Sequence, residues 1–168
     1  MIGDLPALYN EYLSHAEFVE QIALKDTDQT GVWFFGLRNI QLDSNDGWPS
    51  IVIAQRYEPS GWGFTPAAVL MPDTSVLFLG AGTRILIFDL KTKELISEDY
   101  TTVGFWGWEQ RGNIVLMSSE LDFAAWDSSG SKLWSKSVEP PWSFKVNEDQ
   151  VQLVIMGRQS SFNLRTGK

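Results

Sequence analysis

The hydrophobic positions of this chain change period once. In the first segment Leu5, Leu8, Tyr9, Tyr12, Leu13 and Ala16 recur every three or four residues, which places them on one helix face. Asp4 suits the N-cap, and Pro6 is tolerated in a first turn whose amides have no helical partner. Ser14-His15-Ala16-Glu17 has the form of a capping box. Either a second helix starts there and runs toward Leu24 with Phe18, Val19 and Ile22 inward, or one kinked helix continues. From Val32 onward, short runs of Val, Ile, Phe and Trp alternate with Gly, Pro, Asn and Asp, the mark of strands joined by turns. Residues 32–37 and 51–57 are predicted strands, residues 43–47 a polar loop, and residues 59–63 a break before a long meander. The expected organisation is a single domain over 1–168, mainly β. It has a helical cap over 1–30 that shields an edge or face of the sheet, strands and loops over 31–64, and repeated antiparallel units over 65–168.

The repeat lies in the meander. Val76-Leu77-Phe78-Leu79 is followed by a Gly-containing turn and a second strand ending in Phe88-Asp89. The pattern returns as Ile114-Val115-Leu116-Met117 with Trp126-Asp127, and again as Val151-Gln152-Leu153-Val154 with Phe162-Asn163. After each aromatic comes a polar turn, and after the first two turns a further short strand, at residues 94–97 and 132–136. Phe105-Trp106 and Pro141-Trp142 precede the second and third copies. The aromatic residue is expected to point inward, and the Asp or Asn after it to hydrogen-bond the backbone of its own turn. Such a unit cannot bury its own face, so the copies are expected to stack.

These residues resemble the blades of β-propeller proteins: strand, turn, aromatic-Asp, turn, then a strand of the Leu-x-Trp kind, matched best by Leu133-Trp134 after Asp127. The resemblance covers residues 65–168 and implies architecture only. With three copies, the last lacking its outer strand, an open, twisted meander or incomplete ring is expected.

Composition adds two points. Eight Trp and ten Phe are a heavy aromatic load, and each ring, once buried, hides about 150–250 Å², so a few at core positions offset much chain entropy. The net charge of −8 is concentrated in the first 49 residues, where eight acids face only Lys25 and Arg38. Such a field repels nucleic acid and anionic membranes and attracts basic partners. There is no cysteine, no basic segment leading into an apolar run at the start, and no apolar stretch of the ~20 residues that span a bilayer. The expectation is a cytoplasmic chain.

Chemistry-bearing motifs are sparse. His15 is the only histidine, with Glu11 one turn earlier, and reads as a surface helix residue. Asp26-Thr27-Asp28-Gln29-Thr30-Gly31 has calcium-loop spacing at its first six positions, but Leu37 stands where a bidentate Glu belongs, so a solvated turn is expected. Gly80-Ala81-Gly82 leads into a strand and reads as a hairpin turn, not a phosphate cradle. No catalytic residue, metal or cofactor is assigned. Trp48, Trp62, Trp106 and Trp108 sit in or beside Gly- and Pro-rich turns. Trp106 and Trp108, two apart, share one face of an extended strand; exposed together they form a protein-binding hot spot or a platform for sugar rings, and buried they are core.

Two functions follow. The first is a non-enzymatic binding protein that holds a basic protein partner through Asp26, Asp28, Asp43 and Asp46 together with Trp48, Trp62, Trp106 and Trp108. In size and charge the chain is similar to bacterial immunity proteins, a resemblance that implies a cognate toxin as that partner. The second is a carbohydrate- or small-ligand-binding β module, with hydrolysis if two carboxylates such as Glu109, Glu120 or Asp122 face each other.

Overall fold

A computed structural model of the chain describes residues 7–22, 31–37, 48–58 and 65–168. Asp4, Pro6, the loops at 26–30 and 43–47, and the break at 59–63 lie outside them. Backbone contacts divide the chain into two compact units, Met1–Pro59 and Ser60–Lys168, each described by itself.

The first unit holds helix α1 (Ala7–His15) and strands β1 (Phe18–Ile22), β2 (Gly31–Leu37) and β3 (Ile51–Tyr57), in the sheet order β1-β3-β2. The second helix expected after the Ser14 capping box is instead β1. Phe18, Val19 and Ile22 satisfy a helical spacing, but Phe18 and Val19 also suit a strand, and parallel pairing from Phe18 with Ile51 to Ile22 with Gln55 decides the matter. The Glu17 and Phe18 amides both donate to the Ser50 carbonyl, which locks the chain out of the helix and into the sheet. β3, hydrogen-bonded on both sides, buries Val52, Ile53 and Ala54 completely.

The second unit contains three antiparallel sheets on one ground plan. The first consists of β4 (Ala67–Met71), β5 (Val76–Ala81), β6 (Arg84–Asp89) and β7 (Glu94–Tyr100) in sequence order. The second repeats it with β8 (Phe105–Arg111), β9 (Ile114–Ser119), β10 (Asp122–Asp127) and β11 (Lys132–Ser137). The third has β12 (Trp142–Asn147), β13 (Gln150–Ile155) and β14 (Arg158–Asn163). The mainly β, blade-like meander read from the sequence is the architecture found.

Strand alternation explains the stacking. On the second sheet Val115, Met117, Ala124 and Trp126 face the first sheet's Phe78, Ile85 and Ile87. Their neighbours Ile114, Leu116, Phe123 and Ala125 face the third sheet's Val151, Leu153 and Phe162. The middle sheet is thus apolar on both faces and reads as unbroken hydrophobic runs. The three repeated aromatics occupy one register position: Phe88 pairs with Leu77, Trp126 with Val115 and Phe162 with Val151. All three are buried. The acid or amide after each does what its type predicts. Asp89 accepts from the amides of Lys91 and Thr92, Asp127 from those of Ser129 and Ser131, and Asn163 from those of Arg165 and Thr166.

Candidate functional site

At the end of the sheets where β7 leads into β8 and β11 into β12, hydrogen bonds tie the connections together. The Glu120 amide donates to the Gly104 carbonyl at 3.1 Å, the Val138 amide to Leu121 at 3.0 Å and the Met156 amide to Pro141 at 2.9 Å. Asp122 accepts from the Thr102 amide at 2.6 Å and its hydroxyl at 3.2 Å, so this carboxylate fastens the loop that leads into β8. The result is a hydrogen-bonded rim that carries Trp106 and Trp142.

Trp106 owes its position to a β-bulge. Phe105 pairs with Ser119 and Gly107 with Ser118, leaving Trp106 without an opposite residue. The extra residue inverts the alternation at that point, so Phe105 and Trp108 both turn inward while Trp106 turns out. Trp106 is 40% exposed and lies stacked on Trp142, with ring centroids 5.5 Å apart and planes 13° from parallel. Trp142 is itself fixed, because its indole N–H donates to the Glu120 carbonyl at 3.1 Å and its ring lies against Phe123. Trp106 and Trp108, expected to share one face of an extended strand, are thus separated by the bulge. Trp108 packs against the core between the first two sheets, edge-on to Phe78 and Trp126, and donates to the Ala67 carbonyl.

Among the described residues no cation pairs with Glu120, which sits on the loop that Trp142 holds, nor with Glu139, three residues before Trp142. Glu109, in contrast, is paired with Arg111, and Asp122 is committed to its loop. These carboxylates have different duties and do not read as a matched pair for hydrolysis.

The remaining candidates are dispersed. Trp48 belongs to the first unit, where its ring stacks on His15 at 4.7 Å and meets Tyr12 edge-on at 6.0 Å. His15 is thus held between Trp48 and Glu11, in keeping with a structural role. Asp26, Asp28, Asp43, Asp46 and Trp62 lie outside the described residues. Among the described residues no group of three or more His, Asp or Glu side chains is placed to hold a metal ion, and no helix is long and apolar enough to cross a membrane. Trp142 was not singled out as a site residue in the sequence. The signal was there in Phe105-Trp106 and Pro141-Trp142, which stand at equivalent places in successive repeats.

No family model matches the chain, and no curated protein sequence matches it. Among solved structures it is similar to the computationally designed Ika8 protein, at 16% identity over 68% of this chain and 38% of that one, with a TM-score of 0.43. It is also similar to a europium-containing methanol dehydrogenase, at 12% identity over 67% and 28% of the two chains, TM-score 0.41. A third is Hsv2 from Kluyvelomyces marxianus, at 9% identity over 67% and 40%, TM-score 0.37. The chain spans well under two thirds of the length of each of these structures.

Proposed function

We propose that this is a non-enzymatic, cytoplasmic binding protein that holds a basic segment of a protein partner on the Trp106–Trp142 platform. The observation that carries the reading is the bulge that turns Trp106 outward onto a fixed Trp142. An indole face attracts Lys or Arg through its quadrupole, and a nearby carboxylate adds a charge-assisted hydrogen bond. The acids of the first 49 residues, Asp26, Asp28, Asp43 and Asp46 among them, add to the net negative charge that raises the association rate with a basic partner. A narrower form of the reading makes the partner a toxin, neutralised as bacterial immunity proteins neutralise theirs. A toxin-like reading frame beside the gene supports that form, and a binding partner without toxicity removes it.

The direct test is intrinsic Trp fluorescence on titration with a Lys- and Arg-rich peptide. Trp106→Ala leaves the net charge of −8 untouched, so it separates a built site from general attraction of a polycation. Loss of about 30-fold in affinity, the size of a hot-spot residue, supports the reading. An unchanged affinity refutes it. The stacked indoles also favour a second reading, a sugar-binding platform, because a ring's C–H face packs flat on an indole. Saturable binding of a glycan but not the peptide selects that alternative.

A further inference from the structure

We propose that the free edge of β7 accepts an extended, basic segment of a partner protein as a further strand of the first sheet. The proposal is independent of the Trp106 platform.

β7 and β11 hold equivalent places, each the outer strand of its sheet. Leu95 lies opposite Phe88 as Lys132 lies opposite Trp126, and Tyr100 lies opposite Arg84 as Ser137 lies opposite Asp122. Both strands are bulged at the same point, but their side chains differ. β11 carries Lys132 and Lys136, and lysine on an edge strand is a common guard against pairing with another chain. β7 carries Leu95, Ile96 and Tyr100, which are 41%, 42% and 59% exposed. Among the described residues only Trp106 and Met156 are large apolar side chains as open as these.

The main chain of β7 is open as well. The Thr101 amide donates to the Thr83 carbonyl at 2.7 Å, so the antiparallel alternation turns the main-chain groups of Tyr100 and Glu98 away from β6. Asp99 accepts from the Tyr100 amide at 2.8 Å, and its other oxygen holds Lys132. Nothing among the described residues covers the main-chain groups of Glu98. An incoming strand therefore bonds Glu98 directly and displaces one side-chain bond at Tyr100. Edges of this kind bind extended peptides by adding a strand.

Charge selects the occupant. β7 bears Glu94, Glu98 and Asp99 and no base. Arg84 pairs with Glu98 and Lys132 with Asp99, while among the described residues no cation pairs with the exposed Glu94. The segment that fits is thus extended, with apolar side chains against Leu95 and Tyr100 and a Lys or Arg beside Glu94. Cross-strand pairs of those kinds add affinity and set the register.

The test uses the full chain and a fluorescein-labelled peptide, Lys-Val-Lys-Val-Thr-Val-Lys, followed by fluorescence anisotropy. Binding should be saturable. It should weaken at least about tenfold with Leu95→Lys, which gives β7 the residue that β11 has at that position. A peptide with proline for its central valine keeps the charge but lacks a main-chain donor, and should not bind. Trp106→Ala should bind the valine peptide as the parent chain does, which separates this edge from the platform. If Leu95→Lys loses its circular dichroism, the proline peptide decides alone. Absence of saturable binding overturns the proposal, as does binding that is indifferent to Leu95→Lys or to the proline, or that is lost with Trp106→Ala. A chain that sediments as a dimer and becomes monomeric with Leu95→Lys overturns it too, since the edge then belongs to a second copy.

Discussion

Trp134 donates its indole N–H to the carbonyl of Leu164, 2.6 Å away, and so clamps the turn that ends the third sheet. The outer strand of one sheet thereby reaches over the turn of the next. Ile96 stands in the same relation to Gly130, where an added Cβ would lie 3.2 Å from the isoleucine side chain.

This clamp predicts a coupled pair. Gly167 has φ +69°, and a Cβ there would lie 2.8 Å from the Trp134 ring. Gly167→Ala should cost about 1–3 kcal/mol in urea unfolding, from overpacking and an unfavourable backbone region. Trp134→Ala should cost about 3–5 kcal/mol. The double variant should cost less than the sum, because removing the ring relieves the clash. Additive costs would mean that the two residues do not touch.

The repeat made most of this arrangement legible. Asp89, Asp127 and Asn163 act on their own turns, so residue type and spacing suffice to place them. The strand at Phe18–Ile22 was hidden for the opposite reason. Its partner lies more than thirty residues away at Ile51–Gln55, and local spacing could not report that pairing. The platform was half legible. Trp106 carried the signal of an exposed aromatic, but alternation assigned it to Trp108, and only the bulge opposite Ser118 and Ser119 re-aims it toward Trp142.

The bulge makes a separate prediction about stability. Trp108 packs into the core and Trp106 does not, so Trp108→Ala should cost about 3–5 kcal/mol and Trp106→Ala no more than about 1 kcal/mol. Denaturant midpoints of the two variants measure the contrast. Similar losses would place both rings on the same side of β8, and the reverse order would put Trp106 in the core instead of Trp108.

Gln55 offers a stabilising change. It is fully buried in β3, and among the described residues neither its amide nitrogen nor its amide oxygen has a hydrogen-bond partner. An unpaired buried amide costs about 1–3 kcal/mol, so Gln55→Met, of similar volume and without that penalty, should raise the thermal midpoint. A lowered midpoint would show that the amide is satisfied.

Tyr100 makes the pH dependence specific. Its phenol donates to Glu98 at 2.6 Å; this bond, helped by a little burial and opposed by Arg84, holds the phenol above its ordinary value. The folded chain therefore keeps this proton more tightly than the unfolded one. The contact's contribution is fully present below pH about 10 and fades as pH rises through the folded value. Ultraviolet difference titration should show a late-ionising tyrosine that Tyr100→Phe removes and Glu98→Gln brings down. A Tyr100 that titrates like a free phenol would contradict the bond.

The indole N–H signals of the eight Trp residues give the most direct reading of the platform. In proton–nitrogen spectra recorded while a Lys- and Arg-rich peptide is added, the signals of Trp106 and Trp142 should move together and saturate. Those of buried Trp126 and Trp134 should stay in place. If Trp106 and Trp142 hold still while the peptide binds, the platform does not receive the basic partner, and the proposed function is wrong.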